Sequence, residues 1–224
     1  IFIGGFLMNI YWLGHSCFLI KTNLGKRILM DPFDIDIGYI PYKGDVDLVT
    51  ISHMHFDHNC TKYINDEAKV LTDLVDYQNT FCKVKSYLSF HDDCFGLKRD
   101  KNFIFKILCD DITLCHLGDL GHILSSKVIK QLGHIDILFV PVGEHLTISV
   151  ENLKKVIIDI NPRYVIPMHY KTAKLSFYLN TVDKFLMEMK GFKITHDQVL
   201  SVNPESLPEN TTIKILELTS EDMI

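Results

Sequence analysis

No run or stripe of lysine and arginine appears in this sequence. Its 28 acidic residues outnumber 23 basic ones and give a formal net charge of −5. Surfaces that bind nucleic-acid backbones are usually rich in lysine and arginine. The sequence therefore argues against a nucleic-acid partner and favours a small-molecule substrate, and it leaves a homo-oligomer open.

Long apolar runs are also missing, although 47% of the 224 residues are hydrophobic. The opening segment IFIGGFL is too short to span a bilayer and has no basic flank, so no membrane partner is expected. Because Met8 followed by NIYWLGHS is typical of a natural start, residues 1–7 are interpreted as an upstream extension or a cloning remnant. The length predicts one domain over residues 1–224.

The sequence has no C-x-x-C pair, although it contains six cysteines. It also has no credible secretion signal, so we expect reduced thiols and a cytoplasmic protein. Most of the cysteines are interpreted as small hydrophobic core residues. A G-x-S-x-G turn, a glycine-rich phosphate loop and a dinucleotide fingerprint are absent too, so the catalytic chemistry is sought in other residue types.

Short strand patterns fill the first half of the chain, and strands alternate with helices in the second half. NIYWLG, CFLIKT, RILMDPF and VDLVTIS are apolar or alternating runs rich in isoleucine, valine and aromatic residues. SVENLKKVIIDINP has a serine cap, an early glutamate and a proline beyond its end, which is typical of a helix. SSKVIKQLG and NTVDKFLMEMKG predict two further helices. The pattern predicts two sheets packed together with helices outside.

One short segment, ISHMHFDHNC, concentrates residues that bind metal ions. Its candidate ligands are His53, His55, Asp57 and His58. Because the segment leaves a predicted strand over residues 46–52, the first two histidines are expected to point to one side and hold one ion. If the chain turns after Phe56, the aspartate and the last histidine can reach a second ion. Imidazole and carboxylate suit zinc, and also manganese or iron.

Three further candidate ligands follow predicted strands elsewhere in the chain. They are His91 in SYLSFHDD, Asp119 in LCHLGDLGH and His169 in RYVIPMHY. Open sheets commonly place their ligands beyond the carboxyl ends of strands, so these side chains are expected to join the metal site. The pattern alone leaves open which ligand holds which ion.

Together these motifs resemble those of the metallo-β-lactamase-fold hydrolases. The resemblance runs from WLGHSCFLI through ILMDPF, ISHMHFDH, SFHDD and LCHLGDLGH to IPMHY, and so covers nearly the whole chain. More narrowly, the sequence looks like the small prokaryotic branch of metal-dependent hydrolases that includes relatives of an ascorbate-phosphate lactonase. The resemblance implies an α/β fold, a four-layer αβ/βα sandwich with the metal site on one edge.

The resemblance also implies a site for two divalent metal ions. Zinc is the expected ion, with manganese or iron as alternatives. The implied ligands are His53, His55 and His91 for the first ion, Asp57, His58 and His169 for the second, and Asp119 as the bridge between them. Asp31 is similar to an aspartate that supports the metal loop of such proteins from behind.

Four other positions have both a functional and a structural interpretation. His15 resembles a histidine that this branch keeps near the mouth of the site, and His122 follows the bridging aspartate, so both are predicted to bind substrate or to hold local structure. Asp92 is predicted to orient the ligands or to form a turn. His116 is expected in the core or behind the ligands. At Glu144 and His145 the sequence departs from its relatives, which often carry small residues there. The two side chains are expected to narrow the pocket.

The expected reaction is hydrolysis of an ester, lactone or phosphoester by a metal-activated water. A nuclease of the same superfamily, such as a transfer-RNA processing enzyme, is disfavoured by the acidic balance and the lack of a basic inserted arm. A non-catalytic metal-binding regulatory module is disfavoured because a closed structural zinc site needs only four ligands. A redox di-iron protein is the last alternative, but such relatives usually carry glutamate in place of His55.

Overall fold

The computed structural model describes residues 7–220, so nearly all of the interpreted extension at residues 1–7 lies outside the described residues. The strands are Met8–Gly14 (β1), Cys17–Lys21 (β2), Arg27–Met30 (β3), Leu48–Thr50 (β4), Lys69–Leu71 (β5), Asp76–Gln78 (β6), Lys83–Phe90 (β7), Lys101–Cys109 (β8), Ile112–His116 (β9), Ile137–Pro141 (β10), Tyr164–Met168 (β11), Lys193–Asp197 (β12), Leu200–Val202 (β13) and Thr212–Leu216 (β14). The helices are Ser126–Leu132 (α1), Val150–Ile160 (α2) and Asp183–Glu188 (α3).

The strands form two mixed sheets. The six-stranded sheet has the order β13-β1-β2-β3-β4-β5, in which β1 to β3 are antiparallel and β3 to β5 are parallel. The eight-stranded sheet has the order β12-β14-β11-β10-β9-β8-β7-β6, and its antiparallel half ends at β9. The carboxyl ends of β4, β9, β10 and β11 are thereby free to carry loops at one edge of the molecule.

The three helices belong to the crossovers of the eight-stranded sheet. Ser125 and Ser149 cap α1 and α2 as predicted, and each hydroxyl accepts a hydrogen bond from a backbone N–H three residues later. The buried face of α2 packs into the main core, where its apolar residues recur at helical spacing. None of the helices within residues 7–220 is long and apolar enough to cross a membrane.

Neighbouring residues of the six-stranded sheet face two different cores. Phe18 and Ile20 pack into the main core between the sheets, whereas Leu19 packs into a second cluster on the outer face. The outer cluster is covered by residues 33–46 and 172–180, which contain a 3-10 turn but no α-helix. The sandwich fold is confirmed, but the outer layer here consists of loops, because proline and glycine in DPFDIDIGYIPYKGD interrupt any helix.

Four strands escaped prediction, and all four are edge strands of the two sheets. They are β5, β6, β12 and β13. Most of their residues are exposed or half-buried, so they lack the apolar pattern that marks a central strand. All six cysteines are unpaired, and four of them are buried, namely Cys17, Cys82, Cys109 and Cys115.

Candidate metal centre

The candidate ligands come from strand ends in both sheets and meet at one edge of the sandwich. Residues 51–60, which carry four of them, follow β4 of the six-stranded sheet. His91, Asp119 and His169 follow β7, β9 and β11 of the eight-stranded sheet. All seven side chains are buried except His55, which is half-buried. The site therefore lies across the seam between the two sheets.

Asp119 occupies the centre of this cluster. Its Oδ2 lies 3.0 Å from Nε2 of His91 and 3.0 Å from Nε2 of His169. The same oxygen lies 3.4 Å from Nε2 of His58 and 3.8 Å from Nε2 of His53. Oδ2 of Asp119 thus lies among imidazoles from both predicted ligand groups, and its role as a bridge stays a prediction.

A glycine allows the loop that carries Asp119 to approach residues 51–60, which we call the metal loop. Gly118 has φ +56, and a Cβ on it would lie 2.2 Å from Oδ1 of Asn102 and 2.6 Å from Cβ of Ser52. With no side chain in the way, the backbone N–H of Asp119 donates to Oδ1 of Asn102 at 2.9 Å. The glycine thus sets the position of the central carboxylate.

Among residues 7–220, the candidate metal-binding atoms form three overlapping groups, of which two match the predicted ligand sets and the third combines Asp31, His53 and His58. One atom from each of His53, His55 and His91 lies within 4.8 Å of the others, and these are the residues predicted for the first ion. The second group meets the same limit and consists of the predicted Asp57, His58 and His169, together with His15. The structure thus brings together every predicted ligand and adds one histidine.

Several buried atoms in this cluster lack partners. Nε2 of His53, Nε2 of His58 and Oδ1 of Asp119 accept or donate no hydrogen bond among residues 7–220. An unsatisfied buried polar group costs about 1–3 kcal/mol. Imidazole nitrogens and carboxylate oxygens are the usual donors to divalent metal ions, so these residues fit a metal-binding role.

Asp31 and Ser52 fix the orientation of the ligand rings. Oδ2 of Asp31 accepts a hydrogen bond from Nδ1 of His58 at 2.9 Å, and Oδ1 accepts from the backbone N–H of Ser52 at 2.7 Å. The Ser52 hydroxyl donates to Asp31 and lies 2.9 Å from Nδ1 of His53. When the hydrogen of the neutral imidazole lies on Nδ1 of His53 or His58, the lone pair is on Nε2, and this nitrogen faces Asp119. Asp31 thus supports the metal loop from behind.

Burial and mutual charge shift the pKa values of the cluster in opposite directions. Burial lowers the pKa of His58, but the Asp119 and Asp57 carboxylates outweigh it and raise the value well above the usual range. Burial raises the pKa of Asp119, but the surrounding histidines outweigh it and hold the value well below the usual range. For His53, burial dominates and lowers the pKa to about 2. The carboxylates therefore favour the protonated form of His58, and for His91 burial is likewise outweighed by the Asp119 carboxylate, which raises the pKa.

Both residues predicted to bind substrate have other contacts. His15 has 0% of its surface exposed, so it does not face the cleft, and its Nε2 lies 3.0 Å from Oδ2 of Asp57. His122 accepts a hydrogen bond from the backbone N–H of Phe90 at Nε2 and lies 2.9 Å from the carbonyl oxygen of Ile123 at Nδ1. Each side chain is engaged by the protein itself, which supports its structural interpretation, and substrate binding by either residue stays a prediction.

Asp92 organises a loop and does not orient a ligand ring. Its Oδ1 accepts from the backbone N–H groups of Cys94 and Gly96, and its Oδ2 accepts from those of Lys98 and Arg99, at 2.8–2.9 Å. A carboxylate at the start of a turn can accept hydrogen bonds from the backbone N–H groups that follow it. Of the two predicted roles, these local hydrogen bonds support the role of Asp92 in forming a turn.

The Glu144 carboxylate has three polar partners in the described part of the chain. It accepts from the backbone N–H of Val150, from the Asn180 amide and from the Lys184 ammonium group. These contacts tie the start of α2 to α3, so the charge is directed into the protein and not into the pocket. His116 lies in the core as expected, where Nε2 is 2.9 Å from the carbonyl oxygen of Ser16.

A cleft of about 490 Å³ opens beside the first ligand group. His53 and His55 line it together with Met54, Thr72, Asp73, Arg99, Asp100, Lys101 and Phe103. Its loop residues were not predicted as site residues, because exposed polar side chains on loops form no periodic pattern. A cavity of about 550 Å³ beside Tyr39 and Tyr42 contains none of the candidate ligands.

Residues 9–169 match the β-lactamase superfamily domain family, and the chain belongs to this family. A UPF0173 metal-dependent hydrolase from Pyrococcus horikoshii is 28% identical over 197 residues, which cover 74% of this chain and 86% of the relative. A UPF0173 protein from Pyrococcus abyssi is 31% identical over 186 residues, which cover 74% of this chain and 84% of the relative.

The fold is shared with a Thermotoga maritima protein whose crystal structure was assigned to the metallo-β-lactamase superfamily as a zinc-dependent hydrolase. The TM-score is 0.73 and the identity is 32%, with coverage of 93% of this chain and 100% of that chain. The predicted superfamily and fold are confirmed. The narrower relation to an ascorbate-phosphate lactonase stays a prediction.

Proposed function

We propose that this protein is a metal-dependent hydrolase with a dinuclear site. The observation that supports the proposal best is the position of Asp119, whose Oδ2 lies within 3.0–3.8 Å of imidazole nitrogens from both ligand groups. Two bound divalent ions would lower the pKa of a water molecule and polarise the oxygen of the bond to be cleaved. The expected substrate is an ester, a lactone or a phosphoester.

Zinc is the ion that we propose for the site. Five imidazoles and two carboxylates form the donor set, and these donors suit zinc, manganese and iron. The zinc-dependent assignment of the Thermotoga maritima relative favours zinc among the three. The protein's own contribution is to hold Nδ1 of His58 as a donor to Asp31, which leaves Nε2 free as a ligand.

The cleft beside His55 supports a polar small-molecule substrate. Arg99 and Lys101 line the cleft, and neither forms an ion pair among the described residues 7–220. The cleft also contains the carboxylates of Asp73 and Asp100, and each of them accepts a hydrogen bond from the backbone N–H of the next residue. Two cationic and two anionic side chains therefore balance in the cleft, which suits a polar substrate of either charge. A cytoplasmic location belongs to the same proposal.

Chelation and reconstitution test the proposal. Purified protein is stripped with a chelator, reloaded with zinc, manganese or iron, and assayed on lactones, phosphodiesters, esters and a short RNA. We expect hydrolysis of a small-molecule substrate that disappears on chelation and returns with metal. Turnover that survives removal of all metal would contradict the proposal, and cleavage of RNA alone would favour the nuclease alternative.

A further inference from the structure

His15 is a fully buried histidine with a single polar contact on its ring. Nε2 lies 3.0 Å from Oδ2 of Asp57, and Nδ1 is buried without a hydrogen-bond partner among residues 7–220. A carboxylate accepts hydrogen bonds only from a protonated nitrogen, so Nε2 carries the hydrogen in this contact. The one polar contact of the His15 ring is therefore a hydrogen bond to Asp57, a predicted ligand of the second ion.

The backbone around His15 holds the ring in that place. His15 itself has φ +51, in the left-handed region, and the preceding Gly14 has φ +109. A Cβ on Gly14 would lie 2.5 Å from a ring carbon of Tyr39, so only glycine fits there. The carbonyl oxygen of His15 accepts from Nε1 of Trp12 at 2.9 Å and from the backbone N–H of His169 at 3.2 Å. The uncommon conformation of a buried histidine is thus fixed by contacts on both sides.

We infer that His15 is a positioning residue for Asp57, whose carboxylate it turns toward the second metal position by a hydrogen bond from Nε2. Oδ2 of Asp57 lies 3.6 Å from Nε2 of His58, so the oriented carboxylate faces another member of the same group. The His15 ring also lies 4.4 Å from the His169 ring, centroid to centroid. The inference rests on the proposed dinuclear site and adds a residue outside its seven ligands.

The test compares two replacements of His15 that differ in one hydrogen-bond donor. His15→Gln retains an N–H at the end of a side chain of similar reach, whereas His15→Leu fills the space without a donor. Loss of a group that orients a ligand typically weakens metal binding by about 10–100-fold, and we expect this loss for the second ion in His15→Leu. Binding of the first ion should not change, and His15→Gln should bind both ions nearly as wild type does.

Metal affinities are measured by calorimetry with zinc and with manganese on the full chain, without substrate. His134→Gln is the matched control, because His134 is an exposed histidine that pairs with Asp136 away from the ligands. The melting temperature of each metal-free variant shows whether the fold is retained. If His15→Leu does not fold, His15→Asn replaces it, since the shorter amide cannot reach Asp57.

The inference is overturned if His15→Leu binds the second ion with wild-type affinity. It is also overturned if the glutamine and leucine variants lose affinity equally, because the N–H would then not be the cause. X-ray absorption that shows one imidazole fewer at the metal in His15→Gln would make His15 a direct ligand instead. A wild-type protein that binds two ions but hydrolyses nothing contradicts the proposed function and leaves the His15 result interpretable.

Discussion

Hydrogen bonds at Nδ1 of His53 and His58 leave Nε2 of these two candidate ligands available to a metal ion. Asp31 accepts from Nδ1 of His58 and, through the Ser52 hydroxyl, also fixes His53. The carboxylate is fully enclosed, with 1% of its residue surface exposed. Burial raises the pKa of Asp31, but His116 and the hydrogen bond with His58 outweigh it and lower the value, so the acceptor stays ionised.

Replacing Asp31 with asparagine should weaken metal binding, although residue 31 is not one of the seven predicted ligands. The amide presents one acceptor in place of two, so the orientation of His58 or of Ser52 is lost, and we expect about 10–100-fold lower metal affinity. Titration with a chromophoric chelator measures the change. Asp36→Asn, an exposed carboxylate in the 3-10 turn, is the control, and equal affinities in the two variants would refute the role of Asp31.

Metal binding should release protons because the carboxylates raise the pKa of His58 in the metal-free protein. Below that raised pKa the imidazole is protonated, and a metal ion must displace the proton to bind. The metal affinity should therefore fall as the pH falls, by about one log unit per pH unit for one displaced proton. Calorimetry in buffers with different ionisation enthalpies counts the released protons, and a count of zero near neutral pH would disagree with the raised pKa.

Among the elements, central strands and capped helices could be predicted, and so could the ligands that directly follow them. His91 and His169 are predictable because His91 follows a strand of alternating pattern and His169 follows a buried strand. The loop contacts of Asp92, Glu144 and His122 could not be predicted, since each depends on which backbone amides the finished fold brings within reach. The resemblance predicted that His15 lies near the site. Its hydrogen bond with Asp57 could not be predicted, because the two residues are 42 positions apart in the sequence.

Asp92 should be the residue that keeps residues 92–100 ordered. Asp92→Ala removes the acceptors of four backbone N–H groups, so we expect faster amide hydrogen exchange at Cys94, Gly96, Lys98 and Arg99. Asp93→Ala is the matched control, because Asp93 is exposed and its one ion pair within residues 7–220 is with Lys98 at 3.8 Å. Exchange rates that rise equally in both variants would rule out this role for Asp92.

Across the whole molecule, the candidate metal centre lies on the seam between the two sheets. The six-stranded sheet supplies the metal loop after β4, and the eight-stranded sheet supplies His91, Asp119 and His169. Asp119 contacts His53 and His58 from one sheet and the other two histidines from its own sheet. Occupied sites would therefore link the sheets, and metal binding should stabilise the native state.

The metal content of the wild type and of Asp119→Ala tests the central claim most directly. Both proteins are purified identically, dialysed against the same zinc concentration and analysed by elemental mass spectrometry. The dinuclear account predicts two ions per wild-type chain and reduced occupancy of both positions in Asp119→Ala, because the bridging oxygen serves both. An Asp119→Ala protein that retains two ions at wild-type occupancy would contradict the account.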